Sequence, residues 1–240
     1  MVKGLQWLSL IVCLVLGTVI ACVLMVQNWD RVNVVPVVRA QDSPENQPKF
    51  VEIEPNSHFE AVRVVKVAVG EQEVTPGPFN RREGPSGIAF HAGDDWLKTL
   101  VFTIKNRSTK KIVQIQWSVC FPEPGSINCL LERTTGRMPE IDAYTKEGVK
   151  LRPGSQQPLD LRPRQVMKIS LADYADDLRT RIEQQQPFSN TTRCFINVYL
   201  AYFEDGMNWT VGGYYSVPDP SHPGLFKRVD ASDDLIDPEA

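Results

Sequence analysis

Histidine and carboxylate side chains lie close together in the sequence at His91, Asp94 and Asp95. Such a group could hold a metal ion, or it could exchange protons in general acid–base catalysis. Gly93 lies within the group and Trp96 follows it, and turns prefer glycine and aspartate. The pattern therefore favours a turn that connects two strands. An envelope enzyme or metal-binding protein that uses His91, Asp94 and Asp95 remains the alternative.

Other signatures of catalysis are missing from the sequence. It contains no Gly-x-Ser-x-Gly segment, phosphate-binding loop, His-Glu-x-x-His segment or dinucleotide fingerprint. No serine or cysteine stands in a recognised nucleophile setting. We therefore expect a protein without catalytic residues and without a bound cofactor or metal ion.

Three of the five cysteines, Cys120, Cys129 and Cys194, lie outside the hydrophobic N-terminal segment. Two prolines and a glycine separate Cys120 from Cys129, so the chain can reverse there and bring the two side chains together. We expect a disulfide between them, because an exported domain meets an oxidising compartment. Cys194 is the competing partner. The cysteine spacing matches no zinc module.

Residues 75–87 contain three prolines and three glycines, which is typical of an exposed loop. Arg81 and Arg82 lie in the middle of this loop. Residues 122–128 and 150–163 are also rich in proline and glycine, so all three loops can hold defined shapes at low entropic cost. We expect these loops to form a contact surface, with Arg81 and Arg82 as contact residues.

Three Asn-x-Ser/Thr triplets begin at Asn106, Asn190 and Asn208. They are acceptors for N-glycosylation only if the chain enters a glycosylating secretory pathway.

Residues 7–26 carry no charge and are long enough to cross a hydrocarbon layer as a helix. The run exceeds the apolar core of an ordinary secretory signal, which favours an uncleaved signal-anchor. Two alternatives stay open: cleavage after Ala40, which would release a secreted or periplasmic domain, and lipidation at Cys22. We expect the domain to face outward, with the membrane as a partner through this helix.

The net charge is −3, and charged residues of both signs are interspersed along the domain. This balance offers no basic surface for nucleic acid, so we expect no nucleic-acid partner. The sequence divides into a signal-anchor or signal peptide, a linker, a β-sandwich-like domain and an acidic, proline-containing tail. The corresponding ranges are 1–28, 29–56, 57–218 and 219–240.

Alternating apolar and polar residues predict β-strands. Residues 97–104 and 112–121 alternate most clearly, and the turn 106–109 between them predicts an antiparallel hairpin with one wet face. The valine-rich residues 59–69 predict a first strand, and residues 193–203 and 208–217 predict a second hairpin. Further short strands are predicted at residues 129–133, 149–151 and 166–171.

One helix is predicted after Ser170, which is a suitable N-cap residue. Apolar residues then recur at helical spacing on one face, and Pro187 ends the pattern. The residues of this face are Leu171, Tyr174, Ala175, Leu178 and Ile182.

Residues 100–119 contain an apolar strand, an Asn-x-Ser turn, two lysines and a second strand, and residues 151–154 read Leu-Arg-Pro-Gly. This arrangement resembles small bacterial extracytoplasmic immunoglobulin-like modules, including the FxLYD type. The resemblance implies an antiparallel immunoglobulin-like β-sandwich that acts as a binding or spacer module without catalysis. The predicted fold class is therefore mainly β: such a sandwich with one inserted helix, preceded by an N-terminal hydrophobic helix.

The order of segments suggests a membrane-anchored or exported binding module whose partner is an unknown protein or envelope component. A structural subunit of an envelope complex is a further alternative, in which the N-terminal helix pairs with other helices and Gly17 supplies a close contact.

Overall fold

A computed structural model describes residues 47–55, 57–123, 126–138, 140–145, 148–152 and 159–237 of this chain. The hydrophobic run of residues 7–26, Cys22 and Ala40 lie outside these ranges, so the expectations about anchoring, lipidation and cleavage stay predictions. Among the described residues, no helix is both long and apolar enough to span a membrane.

The described part of the chain is mainly β, as the sequence predicted. Its strands are β1 (Phe50–Ile53), β2 (Val62–Val69), β3 (Gln72–Val74), β4 (Gly77–Pro78), β5 (Leu100–Asn106), β6 (Ile112–Glu123), β7 (Ser126–Gly136), β8 (Ile141–Thr145), β9 (Gly148–Leu151), β10 (Val166–Ser170), β11 (Arg193–Phe203), β12 (Asn208–Thr210), β13 (Tyr214–Pro218) and β14 (Phe226–Val229). The α-helix of this part, α1, spans Ala175–Glu183, and short 3-10 helices form at Ala172–Tyr174, Phe188–Asn190 and Asp233–Leu235.

The strands form two larger sheets and one small one. The first sheet has four antiparallel strands in the order β10-β5-β2-β3. The second has eight strands centred on β11. One edge of β11 pairs with β6, with β7 beyond it. The other edge pairs with β1 near its start, with β4 beyond, and with β12 near its end, with β13 and β14 beyond. Strands β8 and β9 form a separate antiparallel pair. The predicted hairpin of residues 193–203 and 208–217 is confirmed for β11 and β12, and β13 continues it beside β12.

The second sheet is mixed, which the prediction of an antiparallel fold did not include. Strand β1 runs parallel to both β11 and β4. It comes from residues 29–56, which were predicted to be a linker. Val51 in this strand is buried, and burial of such an apolar side chain favours a place in the sheet over a solvated linker by about 1.5 kcal/mol or more.

The predicted hairpin between β5 and β6 is wrong. Strand β5 pairs with β2 and β10, whereas β6 pairs with β7 and β11, so the two strands belong to different sheets. The alternation correctly showed strands, but a period of two specifies faces and not neighbours. The polar face of β6, which was predicted to be exposed to solvent, is also covered, because Gln114 and Ser118 are buried.

The connection from β5 to β6 is held by the side chain of Asn106. Its amide nitrogen donates to the carbonyl oxygens of Lys110 and Leu161, each at 2.8 Å. Its amide oxygen accepts from the backbone N–H of Ser108 at 2.9 Å. These bonds satisfy buried polar groups where the chain passes from one sheet to the other.

Both larger sheets contribute side chains to one hydrophobic core. Phe102 of β5 meets Trp117 of β6 edge to face, with ring centroids 5.4 Å apart. Helix α1 joins this core through Leu178 and Ile182, which confirms the predicted apolar face. The predicted N-cap at Ser170 is wrong: Ser170 is the last residue of β10, and α1 begins later, at Ala175, with Tyr174 as its N-cap. Ser170 Oγ does accept a hydrogen bond from the backbone N–H of Ala172.

The end of the described chain folds against the domain, although residues 219–240 were predicted to be a tail. Strand β14 pairs with β13, and Ile236 forms a backbone bridge with Ser108. Ile236 is buried, and Asp237 forms an ion pair with Arg164. One apolar side chain and one ion pair within an acidic segment give too weak a pattern for the sequence to predict this docking.

Candidate functional site

One predicted contact loop, residues 75–87, lines a surface cleft that we call the arginine cleft. The predicted loop 122–128 contributes only Pro122, and its described residues belong to strands β6 and β7. The volume of the cleft is about 550 Å³, within the range of small-ligand sites. The residues that line it are Arg81, Arg82, Glu83, Gly84, Pro85, Phe121, Pro122, Gln186, Asn190, Thr191, Thr192 and Arg193. The third predicted contact loop, residues 150–163, is described at 150–152 and 159–163, and these residues do not line the cleft.

The loop that carries Arg81 and Arg82 is fixed at both ends. On one side, Gly77 in β4 lies so close to the loop that an added Cβ would be 2.2 Å from the backbone nitrogen of Gly87. On the other side, the backbone N–H of Ser86 donates to the carboxylate of Glu52 at 3.1 Å. The two arginines therefore extend from a loop whose ends are tied to the sheet.

Arg193, which lines the cleft, is held by an ion pair with Glu52. The Glu52 side chain is fully buried, and the Arg193 side chain is 13% exposed. Arg193 Nη2 donates to Glu52 Oε1 at 2.9 Å, and Arg193 Nε donates to Glu52 Oε2. This two-bond pairing orients a guanidinium group well. The group also lies 5.6 Å from the ring centroid of Phe79, which stacks on Phe195.

Two polar groups of the cleft have no hydrogen-bond partner among the described residues. Arg193 donates hydrogen bonds to the described residues through Nε and Nη2, and Nη1 donates none to them. Thr191 is buried, and its Oγ1 likewise lacks a partner within the described ranges. Arg81 and Arg82 are exposed beside them. The cleft thus presents positive charge and hydrogen-bond donors.

His91, Asp94 and Asp95 are arranged differently from a metal centre. His91 is exposed, and Asp95 forms an ion pair with Arg179 at 3.5 Å. Burial lowers the pKa of Lys49, and the nearby charge of Asp94 opposes this in part. Across the described ranges, no group of three His, Cys, Asp or Glu side chains is placed to hold a metal ion. The enzyme or metal alternative remains untested.

The cysteines form the expected disulfide, which joins Cys120 of β6 to Cys129 of β7. Cys120 is the sheet partner of Phe195, so it points to the opposite face of the sheet from Cys194. That geometry excludes the alternative pairing of Cys120 with Cys194. Cys194 is a buried free thiol, and burial, with a smaller contribution from the charge of Glu52, raises its pKa.

The three glycosylation triplets differ in exposure. Asn106 is buried, and its amide is used in the connection between the sheets. Asn208 is also buried, and its amide oxygen accepts a hydrogen bond from Ser216 Oγ at 3.0 Å. Asn190 is exposed and lines the arginine cleft.

Sequence reasoning identified Arg81 and Arg82 but missed Glu52 and Arg193. These two residues are 141 positions apart, and no local pattern connects them. A signal was nevertheless present, because each is the single charge in an apolar strand: Glu52 in Phe-Val-Glu-Ile and Arg193 at the start of Arg-Cys-Phe-Ile-Asn-Val-Tyr-Leu-Ala-Tyr-Phe. A charge in a buried strand needs a partner.

Comparisons of the chain with protein-family models, with curated proteins and with solved structures each found no match.

Proposed function

We propose that this protein is a binding module, held at or exported across a membrane by residues 7–26, whose contact surface is the arginine cleft. The observation that carries the proposal is a cleft lined by Arg81, Arg82 and Arg193, at which the loop of residues 75–87 meets the segment that leads into β11. Loops on a rigid scaffold commonly carry binding sites.

An immunoglobulin-like sandwich is the scaffold that we propose. In support of it, the two larger sheets share a core, and the chain passes from one to the other between β5 and β6. Helix α1 is inserted between β10 and β11. The parallel strand β1 is an addition to the antiparallel arrangement of the family that the sequence resembles.

The chemistry of the cleft supports binding in preference to catalysis. Arginine stays protonated at all ordinary pH values, so it holds an anion or a carbonyl oxygen but does not exchange protons. Arg193 is further committed to Glu52. The cleft is therefore suited to recognition of a partner by charge and hydrogen bonding.

An outward-facing domain is the location that we propose. Its support is the charge-free run of residues 7–26, together with the disulfide, which forms in oxidising compartments. Protease added to intact cells or spheroplasts should degrade the domain. Protection until lysis would contradict this orientation, and a soluble product that starts at Gln41 would replace the anchor by a signal peptide.

Site-specific photo-crosslinking tests the contact surface. A photoreactive residue placed at Asn190, on the exposed rim of the cleft, should give a discrete adduct in cells that contain the full-length protein. The matched control is the same residue at Tyr214, which is 47% exposed and lies outside the cleft. An equal or stronger adduct from Tyr214 would place the contact surface elsewhere.

A further inference from the structure

We infer that the arginine cleft recognises an anionic group of its ligand, a carboxylate or phosphate, through Nη1 of Arg193, with Arg82 as a second cation. The inference rests on the proposed binding function and specifies the chemistry of the ligand. Carboxylate and phosphate groups both present oxygen atoms at a spacing that a guanidinium group matches.

Arg193 is pre-oriented for this role. Two bonds to Glu52 and one from Nη2 to the carbonyl oxygen of Asn80, at 3.3 Å, fix three of its five N–H directions. The ring of Phe79 lies beside the guanidinium group. A ligand therefore finds a side chain whose rotamers are already restricted, which reduces the entropic cost of binding. The N–H groups of Nη1 remain for the ligand.

The neighbouring groups complete an anion site. Thr191 also lines the cleft, and its buried hydroxyl Oγ1 has no hydrogen-bond partner among the described residues. Arg82 also lines the cleft and is exposed, so it can supply a second positive charge to a bound anion. Hydrogen bonds to charged groups contribute more to binding than hydrogen bonds between neutral groups.

The charge balance favours a small anionic group over a polyanion. Three arginines line the cleft, Arg81, Arg82 and Arg193, and Glu83 lines it as well, while Glu52 is paired with Arg193. The local excess of positive charge is therefore small. The chain as a whole carries −3, so its long-range field does not attract a polyanion such as nucleic acid. A ligand with one or two acidic groups fits this pattern.

Calorimetric titration of the full-length protein in mild detergent tests the inference. The probes are the tripeptide Gly-Glu-Gly blocked at both ends, its neutral counterpart Gly-Gln-Gly, and inorganic phosphate. We expect saturable binding of the glutamate tripeptide or of phosphate, and binding of the glutamine tripeptide weaker by about tenfold or more. The probe that binds shows whether the site recognises a carboxylate or a phosphate.

Three variants locate the site. Arg193→Lys keeps a positive charge near Glu52 but replaces the guanidinium group by a single ammonium, which has no counterpart of Nη1. Arg82→Gln removes an exposed charge without touching the core. Each should weaken anion binding by about tenfold. Arg162→Gln is the matched control, since Arg162 is exposed and lies outside the cleft. Arg82→Gln keeps the test informative if Arg193→Lys does not fold.

Absence of saturable binding, or binding that the two cleft variants leave unchanged, would overturn the inference. Either result would leave the proposed function standing if the photoreactive residue at position 190 still gives its discrete adduct. Absence of that adduct, together with saturable anion binding, would instead contradict the proposed function.

Discussion

Glu52 and Arg193 are joined by two hydrogen bonds across the parallel strands β1 and β11. Arg193 and Phe195 share a face of β11, and Glu52 is the sheet partner of Phe195, so the carboxylate and the guanidinium group meet diagonally on that face. Glu52 also holds Ser86. One buried carboxylate thus connects β1, β11 and the loop that carries Arg81 and Arg82.

Glu52→Gln should lower the free energy of unfolding by about 3 kcal/mol, because the variant leaves the Arg193 charge in a largely buried place without its counter-charge. Urea unfolding of the full-length protein in detergent measures the change. Glu73→Gln is the control, since the pair of Glu73 with Lys66 is exposed and should contribute about 1 kcal/mol or less. Equal losses in the two variants would show that the Glu52 pair does not hold the fold.

Glu60 should make stability depend on pH. Burial raises the pKa of its carboxyl group, and the hydrogen bond from Arg63 opposes this only in part. The folded protein therefore holds the proton more tightly than the unfolded chain does. This contribution is complete below the ordinary glutamate pKa of about 4.3 and is lost as pH rises through the folded pKa.

The measurement is the stability of wild-type protein minus that of Glu60→Gln, followed from about pH 4 to pH 7. We expect this difference to become less favourable to the wild type as pH rises. A difference that is constant, or that changes in the opposite direction, would contradict the raised pKa.

Cys194 should resist alkylation in the folded protein. Its side chain is buried, and the raised pKa keeps it protonated at neutral pH, whereas the reactive form is the thiolate. Iodoacetamide labelling followed by peptide mapping should find Cys194 modified only after denaturation. Labelling at similar rates in native and denatured protein would show that this strand opens readily.

Expression in a eukaryotic secretory host should place a glycan on Asn190 and leave Asn106 and Asn208 unmodified. The latter two amides are buried and hydrogen-bonded, whereas Asn190 is exposed. Asn190→Gln should then remove the whole shift in electrophoretic mobility. A glycan that persists in this variant would show that Asn106 or Asn208 is accessible during folding.

Local patterns in the sequence predicted the helix and many of the strands, because amphipathic spacing reports which side chains face a core. They failed where distant segments meet. The clear alternation of residues 97–104 and 112–121 did not reveal that β5 and β6 lie in different sheets. The docking of Ile236 beside Ser108 depends on contacts that no local period encodes.

The candidate site was likewise predictable from local patterns only in part. Composition alone identified the loop with Arg81 and Arg82, and the short separation of Cys120 from Cys129 allowed their disulfide to be predicted. The pairing of Glu52 with Arg193 needed the parallel register of β1 and β11. The single charge in each of these apolar strands indicates that each needs a partner, but a single sequence does not identify which residue that partner is.

Partner recovery by the full-length protein in mild detergent tests the central claim most directly. Two variants are compared with wild type: charge reversal of the loop by Arg81→Glu with Arg82→Glu, and combined alanine substitution of His91, Asp94 and Asp95. Our account predicts that the charge reversal abolishes recovery of the partner and that the triple alanine variant retains it, with both melting temperatures preserved. Loss of function in the triple variant alone, with its fold intact, would contradict the binding-module account and favour the enzyme or metal alternative.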